Sequence, residues 1–142
     1  MTSASDVYGK ASSSSYDAAW DAQAWKAFDN SCSPFSTANL QKTGWLEYEF
    51  NTAKTVNKYS ILMKVNDAHA YAQSPNSWVF EAYDGIKWVT LDTRTNVTKW
   101  EQLVYNEYPF TNTTAYHKYR IRFTENNRRN LICIAELGMM GY

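Results

Sequence analysis

The dipeptide Asp84-Gly85 stands between two alternating apolar runs, in the stretch SWVFEAYDGIKWVTLDT. Both residues tolerate the positive φ that tight hairpin turns require, whereas they fit poorly inside a helix. Because side chains alternate across a strand, Trp78 and Phe80 fall on one face of the first run. The stretch therefore predicts a β-hairpin whose rings fill the space between two sheets, with Trp45 and Trp88 also in structural roles.

A period close to two continues outside the hairpin. In WLEYEF, Leu46, Tyr48 and Phe50 face one way. Further strands are expected at residues 56–65, 99–105, 108–110, 116–124 and 131–140. Residues 18–28 have helix-forming composition and should give a helical turn or two, while residues 1–15 read as an extended polar lead-in and residues 29–43 as a long polar loop. Seven or eight short strands predict an all-β fold, an antiparallel β-sandwich with minimal helix.

Length and charge narrow the class of protein. The chain has 142 residues, and we interpret residues 1–142 as one domain. Its 14 basic and 14 acidic side chains balance, which argues against nucleic acid or an anionic membrane as the main partner. No run of 18 apolar residues predicts a membrane span, and the first residues lack the pattern of a secretory signal. Aromatic residues reach 16%, which suits both a sandwich core and a recognition surface.

Six segments occur in an order that resembles a known family. They are AWKAFDN, WLEYEF, NKYSI, SPNSWVFEAYDGIKWVTLDT, TNTTAYHKYRIRFTENN and ICIAELGMMG. Together they resemble the discoidin or factor V/VIII type C family, and most of all the bacterial and phage members grouped as carbohydrate-binding module family 32. The resemblance covers about residues 8–141. It implies an eight-stranded jelly roll of the galactose-binding-like type, which binds its ligand on loops at one end and has no catalytic activity.

The resemblance also implies a structural calcium ion between an early loop and the last strand. Calcium prefers six to eight hard oxygen ligands. The ligands expected here are Ala27 through its carbonyl, Asp29, Ser31, Ser36 and Glu136. The chain departs from the family pattern at Pro34, which stands where a threonine is usual. The alternative is that Asp29 caps a turn and Glu136 pairs with a basic group, without an ion.

The chain has two cysteines, Cys32 and Cys133. Their spacing and the two histidines do not make a convincing zinc set. If the implied calcium loop lies beside the last strand, the two sulfurs come within bonding distance. A disulfide and a pair of buried thiols both remain open.

The ligand site implied by the resemblance lies on three loops. Sugars are held by an aromatic ring under the pyranose and by planar polar groups that read the hydroxyls. The candidates are Phe35, Asn39, His69, Tyr71, Gln73, Asn127 and Arg128. The usual Trp-His is replaced by Ser36-Thr37 and the usual arginine by Gln73, so the family's galactose preference does not transfer directly. A galactose-type sugar and a uronic or other acidic sugar both remain candidates.

No catalytic motif is present in the sequence. Glu47 and Glu49 could mimic a glycosidase pair, but they project from one strand face and favour a charged sheet surface. We therefore predict a non-catalytic carbohydrate-binding module, located extracellularly, on a cell surface or on a virion. The alternative is an interaction domain of a virion (phage tail or capsid) or of a cell-surface protein, with a protein partner and a role in host attachment. An anionic-lipid binder is a third, weaker hypothesis.

Overall fold

The computed structural model describes residues 3–31, 33–64, 70–127 and 130–141. Within those residues it contains nine strands in two antiparallel sheets, so the all-β prediction is confirmed. The strands are β1 (Gly9–Ser13), β2 (Phe35–Ser36), β3 (Gly44–Lys54), β4 (Val56–Met63), β5 (Pro75–Tyr83), β6 (Trp88–Arg94), β7 (Tyr105–Pro109), β8 (Tyr116–Asn126) and β9 (Cys133–Gly141). The helical segments are two short 3₁₀ turns, Ala18–Trp20 and Ala24–Phe28, and the four-residue helix α1, Ala70–Gln73.

The two sheets have the orders β1-β3-β8-β5-β6 and β2-β9-β4-β7. Their inner faces share one hydrophobic core, in which Leu46, Ile61 and Ile121 are fully buried. A hydrogen-bonded group links the sheets inside this core: the Tyr59 hydroxyl accepts from Trp78 Nε1 at 2.7 Å and donates to Asp92 Oδ2 at 2.7 Å. The sandwich is therefore tied by polar contacts as well as by apolar packing.

The predicted hairpin is confirmed in β5 and β6. Its turn is closed by Asp84, whose carboxylate accepts the amides of Ile86 at 2.8 Å and Lys87 at 2.9 Å, and Gly85 has φ 100°. Trp78 and Phe80 are buried in the core.

The expected structural rings do not all lie in the core. Trp45 and Trp88 are half-buried. The cross-strand register places both on the outer face of the five-stranded sheet, where the Arg120 guanidinium lies 3.8 Å from the centre of the Trp88 ring. On the same face Glu81 accepts from Arg120 Nε at 2.6 Å, which agrees with the expected charged sheet surface.

Two strand predictions were wrong. Residues 99–104 form no strand. Trp100 anchors this segment to β5, because its Nε1 donates to the Pro75 carbonyl at 3.1 Å. Conversely, the polar lead-in contains β1, which pairs with β3 along Gly9–Ser13. Gly9 is needed there because a side chain would collide with the Glu49 carbonyl. Serines on the outer face concealed the alternation of β1 in the sequence.

At one end of the sandwich, β4 and β8 end and β3, β5 and β9 begin. We call this the loop end. The described loop residues that meet there are 37–43, 64, 70–74, 127 and 130–132. Among the described residues, no helix is long and apolar enough to cross a membrane.

Candidate functional site

The three loops expected to carry the ligand site come together at the loop end. One residue from each, Asn39, Gln73 and Asn130, lines a cleft of about 190 Å³, and Leu131 completes its wall. We call this the rim cleft. Its described lining offers three amide side chains and no charged group. Each amide can both donate and accept hydrogen bonds, which suits hydroxyl groups.

Gln73 is the central residue of the rim cleft. It ends α1, which is fixed by the Ser74 hydroxyl donating to the Ala70 carbonyl at 2.8 Å. The Oε1 atom of Gln73 is buried and has no hydrogen-bond partner among the described residues. Buried polar atoms are almost always satisfied, so an exception of this kind points to a missing partner such as a ligand or a water molecule.

Thr37 holds the first and third loops in register. Its buried hydroxyl donates to the Gln41 carbonyl at 2.6 Å and accepts from the Ile132 amide at 2.9 Å. The first bond closes the loop whose exposed tip carries Asn39, and the second fixes the chain just after Leu131. The backbone on both sides of the rim cleft is thus set by internal hydrogen bonds.

Two predicted ligand contacts are corrected by the structure. Phe35 has no exposed surface, since its side chain enters the core opposite Ile134 of β9. Asn127 is a structural residue: its Nδ2 donates to the carbonyls of Ser74, Pro75 and Val97 at 3.1 to 3.3 Å. Its Oδ1 also accepts from Asn76 at 3.0 Å. These bonds use the whole amide to join three segments and leave none of it for a sugar.

The other predicted contacts divide into three groups. Asn39 and Gln73 line the rim cleft. Tyr71 is half-buried and packs against the core, two residues before Gln73 in α1, and is not among the residues that line the rim cleft. His69 and Arg128 lie outside the described residues, so their ligand contacts stay predictions.

A second cavity adjoins the rim cleft and was not expected from the sequence. We call it the side cavity; its volume is about 200 Å³. It shares Gln73 and Leu131 with the rim cleft. The remaining lining residues are Asp17, Trp20, Ala22, Pro34, Ser36, Lys64 and Cys133. Trp20 is 82% exposed. The signal in the sequence was a tryptophan in the Ala-rich stretch 18–24 that is followed four residues later only by the small Ala24.

Asp29 and Glu136 come together on the edge of the sandwich. The Ser31 amide donates to Asp29 Oδ1 at 2.9 Å and to Glu136 Oε1 at 3.1 Å, so one N–H bridges both carboxylates. A bulge in β9 makes this possible. Ile134 pairs with Met63 and Glu136 with Leu62, which keeps Ile134 and Leu137 in the core and turns Glu136 toward Ser31.

The electrostatics of this acid pair are unfavourable without a cation. Burial, followed by the neighbouring Asp29 carboxyl, raises the pKa of Glu136 to about 8, and the amides of Ser31 and Asn30 only partly oppose that rise. The Ser31 hydroxyl also donates to Asp29 Oδ1 at 2.7 Å. Asp29 therefore caps a turn, as the alternative interpretation expected, and it also faces Glu136.

The structure separates one expected calcium ligand from the rest. Ser36 pairs with Cys133, three residues before Glu136 along β9, and lines the side cavity. Its place among the ion's ligands is therefore a wrong prediction. Ala27 lies two residues before Asp29 in the 3₁₀ turn that packs on β9, so its role as a carbonyl ligand stays a prediction. Cys133 is buried, and Cys32 lies outside the described residues, so the disulfide stays a prediction.

The fold matches that of known carbohydrate-binding modules. A family 32 carbohydrate-binding module from Clostridium perfringens, in complex with GalNAc-beta-1,3-galactose, has a TM-score of 0.76 at 15% identity over 93% of this chain and 94% of its own. Chitosan-binding module 1 from the chitosanase/glucanase of Paenibacillus sp. IK-5 has a TM-score of 0.76 at 19% identity, covering 94% and 96%. The family 32 module of C. perfringens NanJ, in complex with galactose, has a TM-score of 0.75 at 16% identity, covering 92% of each chain.

This chain has the fold of those modules. The galactose-binding-like jelly roll implied by the resemblance is therefore confirmed. No protein-family model and no curated protein matches the chain. Because fold alone does not fix function, the function must be argued from the site.

Proposed function

We propose that the protein is a non-catalytic carbohydrate-binding module that holds a glycan in the rim cleft. The observation that carries this proposal is Gln73 Oε1, a buried acceptor without a partner among the described residues, in a cleft lined by two further amides. A sugar hydroxyl donating to this oxygen would satisfy it. Asn39 and Asn130 lie on the other two loops and would read neighbouring hydroxyls.

The chemistry of the described lining favours neutral hydroxyls. Asn39, Gln73 and Asn130 carry no charge, and Leu131 offers an apolar surface for the C–H groups of a pyranose. An acidic sugar would need a cation at the cleft, for which Arg128 is the candidate from the sequence. The structural neighbours support a glycan in general, since they include modules in complex with galactose and with 4,5-unsaturated mannuronic acid and a module that binds pectin.

The cellular role follows from this ligand class. A module that binds glycans without catalysis would work extracellularly or at a cell surface, attached to or beside the protein that uses the glycan. Binding at such shallow sites is usually modest, and several copies raise it by avidity. The alternative role as a virion interaction domain stays a prediction from the sequence.

The proposal is tested with Gln73→Ala on a panel of glycans. The panel comprises galactose, GalNAc-beta-1,3-galactose, chitosan oligosaccharides and pectin oligosaccharides, measured by isothermal titration calorimetry. We expect at least one member to bind and Gln73→Ala to weaken it about tenfold, as expected for the loss of a buried hydrogen bond. Asn57→Ala is the matched control, because it removes an amide from β4 at the opposite end of the sandwich. Equal affinities in the wild type and Gln73→Ala, or no binding to the panel, would contradict the proposal.

We also propose that Asp29 and Glu136 hold a calcium ion. Two carboxylates bridged by one amide, with one of them buried, form an acidic pair that a hard divalent cation would neutralise. The Ala27 carbonyl and water would add oxygens. Such an ion would supply charge neutralisation and would fasten residues 29–31 to β9, with no part in ligand chemistry.

A further inference from the structure

Trp20 is a solvent-exposed tryptophan on an ordered 3₁₀ turn. It is 82% exposed, although burial of an indole is among the largest apolar contributions that a side chain can make to folding. Single exposed apolar side chains are ordinary on protein surfaces. Trp20 differs from such cases because it forms a wall of the side cavity, which is also lined by Gln73, whose Oε1 has no partner among the described residues.

The backbone under Trp20 is held in place by Asp17. The Asp17 carboxylate accepts the Ala19 amide at 3.1 Å, and its carbonyl accepts the amides of Trp20 at 3.3 Å and Ala22 at 3.0 Å. Asp21 then ends the turn in the left-handed region, with φ 49°. The indole is thus presented from an ordered turn, which lowers the entropy lost when a ligand stacks on it.

The side cavity and the rim cleft form a continuous surface. Both are lined by Gln73 and Leu131. Their volumes are about 200 Å³ and about 190 Å³, so each is smaller than the roughly 300 Å³ at which small-molecule pockets usually begin, while the two together exceed it. A ligand longer than one sugar ring can therefore reach across Gln73 from one to the other.

The side cavity has the groups that a second sugar ring needs. Trp20 offers a flat apolar face, and the side chains of Asp17 and Lys64 border it with an acceptor and donors for hydroxyls. The rim cleft has amides but no aromatic ring among its described lining residues. The two halves are complementary: one orients a sugar by hydrogen bonds, and the other provides the stacking surface.

We infer that Trp20 forms a second subsite and that the ligand is an oligosaccharide of at least two residues. One sugar lies in the rim cleft, the next stacks on Trp20 in the side cavity, and Gln73 contacts both. This inference rests on the proposed glycan binding in the rim cleft, and it adds that the glycan has at least two sugar residues.

The test measures the affinity of the wild type and of Trp20→Ala for glycans of increasing length, from mono- to tetrasaccharide. The wild type should gain affinity from mono- to disaccharide. Trp20→Ala should lose that gain, so its affinity for the disaccharide should fall about tenfold or more, as is usual when a tryptophan in a binding site is truncated. The affinity of Trp20→Ala for the monosaccharide should equal that of the wild type. Trp20→Phe keeps a ring and should retain most of the gain. Ile86→Ala is the matched control, since Ile86 is 88% exposed in the β5–β6 turn at the opposite end.

The outcomes separate the two proposals. If Gln73→Ala weakens binding at every length and Trp20→Ala weakens it at none, the second subsite is refuted and the proposed function stands. If no member of the panel binds, both fail. If Trp20→Ala only reduces co-sedimentation with vesicles of phosphatidylcholine and phosphatidylserine, the indole serves a lipid surface and the inference is overturned.

Discussion

The acid pair of Asp29 and Glu136 predicts an unusual dependence of stability on pH. In the unfolded chain Glu136 should titrate near its ordinary value of 4.5, whereas in the folded, cation-free protein its pKa is about 8. Between these values the folded state binds one more proton than the unfolded state. The free energy of unfolding therefore falls as pH rises from about 4.5 to about 8, and the stabilising effect of protonated Glu136 is fully present only below that window.

The magnitude follows from the size of the shift. Full conversion of the difference between 4.5 and about 8 corresponds to about 5 kcal/mol, at about 1.4 kcal/mol per unit. This is an upper limit, because Ser31 is exposed and residues 29–31 can move away and admit water to the carboxylate. We expect a loss of about 2 kcal/mol, which lowers the Tm by about 8 °C in a chain of this length.

The assay is urea and thermal unfolding in chelator at pH 5, 6.5 and 8, repeated with calcium. Calcium should restore the stability lost at pH 8, since it binds the deprotonated pair. Glu136→Gln should remove both the calcium effect and most of the pH dependence. Glu101→Gln, which removes an exposed carboxyl group, should retain both. Every other titratable group is the same in these variants, so its contribution cancels in the comparison. Identical pH profiles for the wild type and Glu136→Gln would refute the account of the acid pair.

Three further substitutions probe the scaffold of the site. Tyr59→Phe leaves Trp78 Nε1 buried without its acceptor and should cost about 2 kcal/mol in urea unfolding; a change below 0.5 kcal/mol would contradict the hydrogen bond. Thr37→Val keeps the shape but removes one bond within the first loop and one that joins it to the third loop, so affinity for the best glycan should fall several-fold. Thr90→Val on the exposed sheet face should leave it unchanged. Asn127→Ala should lower the free energy of unfolding by about 2 kcal/mol, while the folded variant binds the glycan with unchanged affinity. A loss of affinity in the folded variant would restore Asn127 as a ligand contact.

The sequence predicted the sandwich because its strongest strands carry alternation on the inner face. Leu46, Trp78 and Ile121 all lie in the core as the period of two requires. The prediction failed where the pattern is carried by few residues. In β1 only Gly9 and Ala11 are buried, and in residues 99–104 a single buried ring replaces a ladder of hydrogen bonds.

The candidate site was predicted by loop but only partly by residue. Membership of the right loop selected Asn39 and Gln73, which line the rim cleft. It failed for Phe35 because β2 is two residues long, so its pairing with β9 decides which of Phe35 and Ser36 enters the core. It failed for Asn127 because loop position does not reveal whether an amide is already satisfied by backbone carbonyls. That property depends on contacts with Ser74 and Val97, which are distant in sequence.

The difference between Asn127 and Gln73 separates structural from functional amides at the loop end. Both lie on the loops expected to bind the ligand, and both carry the same chemical group. The amide of Asn127 has three internal acceptors and one internal donor, and substituting it would loosen three segments at once. The oxygen of Gln73 has no internal donor among the described residues, although the backbone beneath it is fixed. Within the described part of the chain, folding has thus ordered Gln73 without giving its oxygen a donor, and the proposed hydroxyl-bearing ligand would supply one.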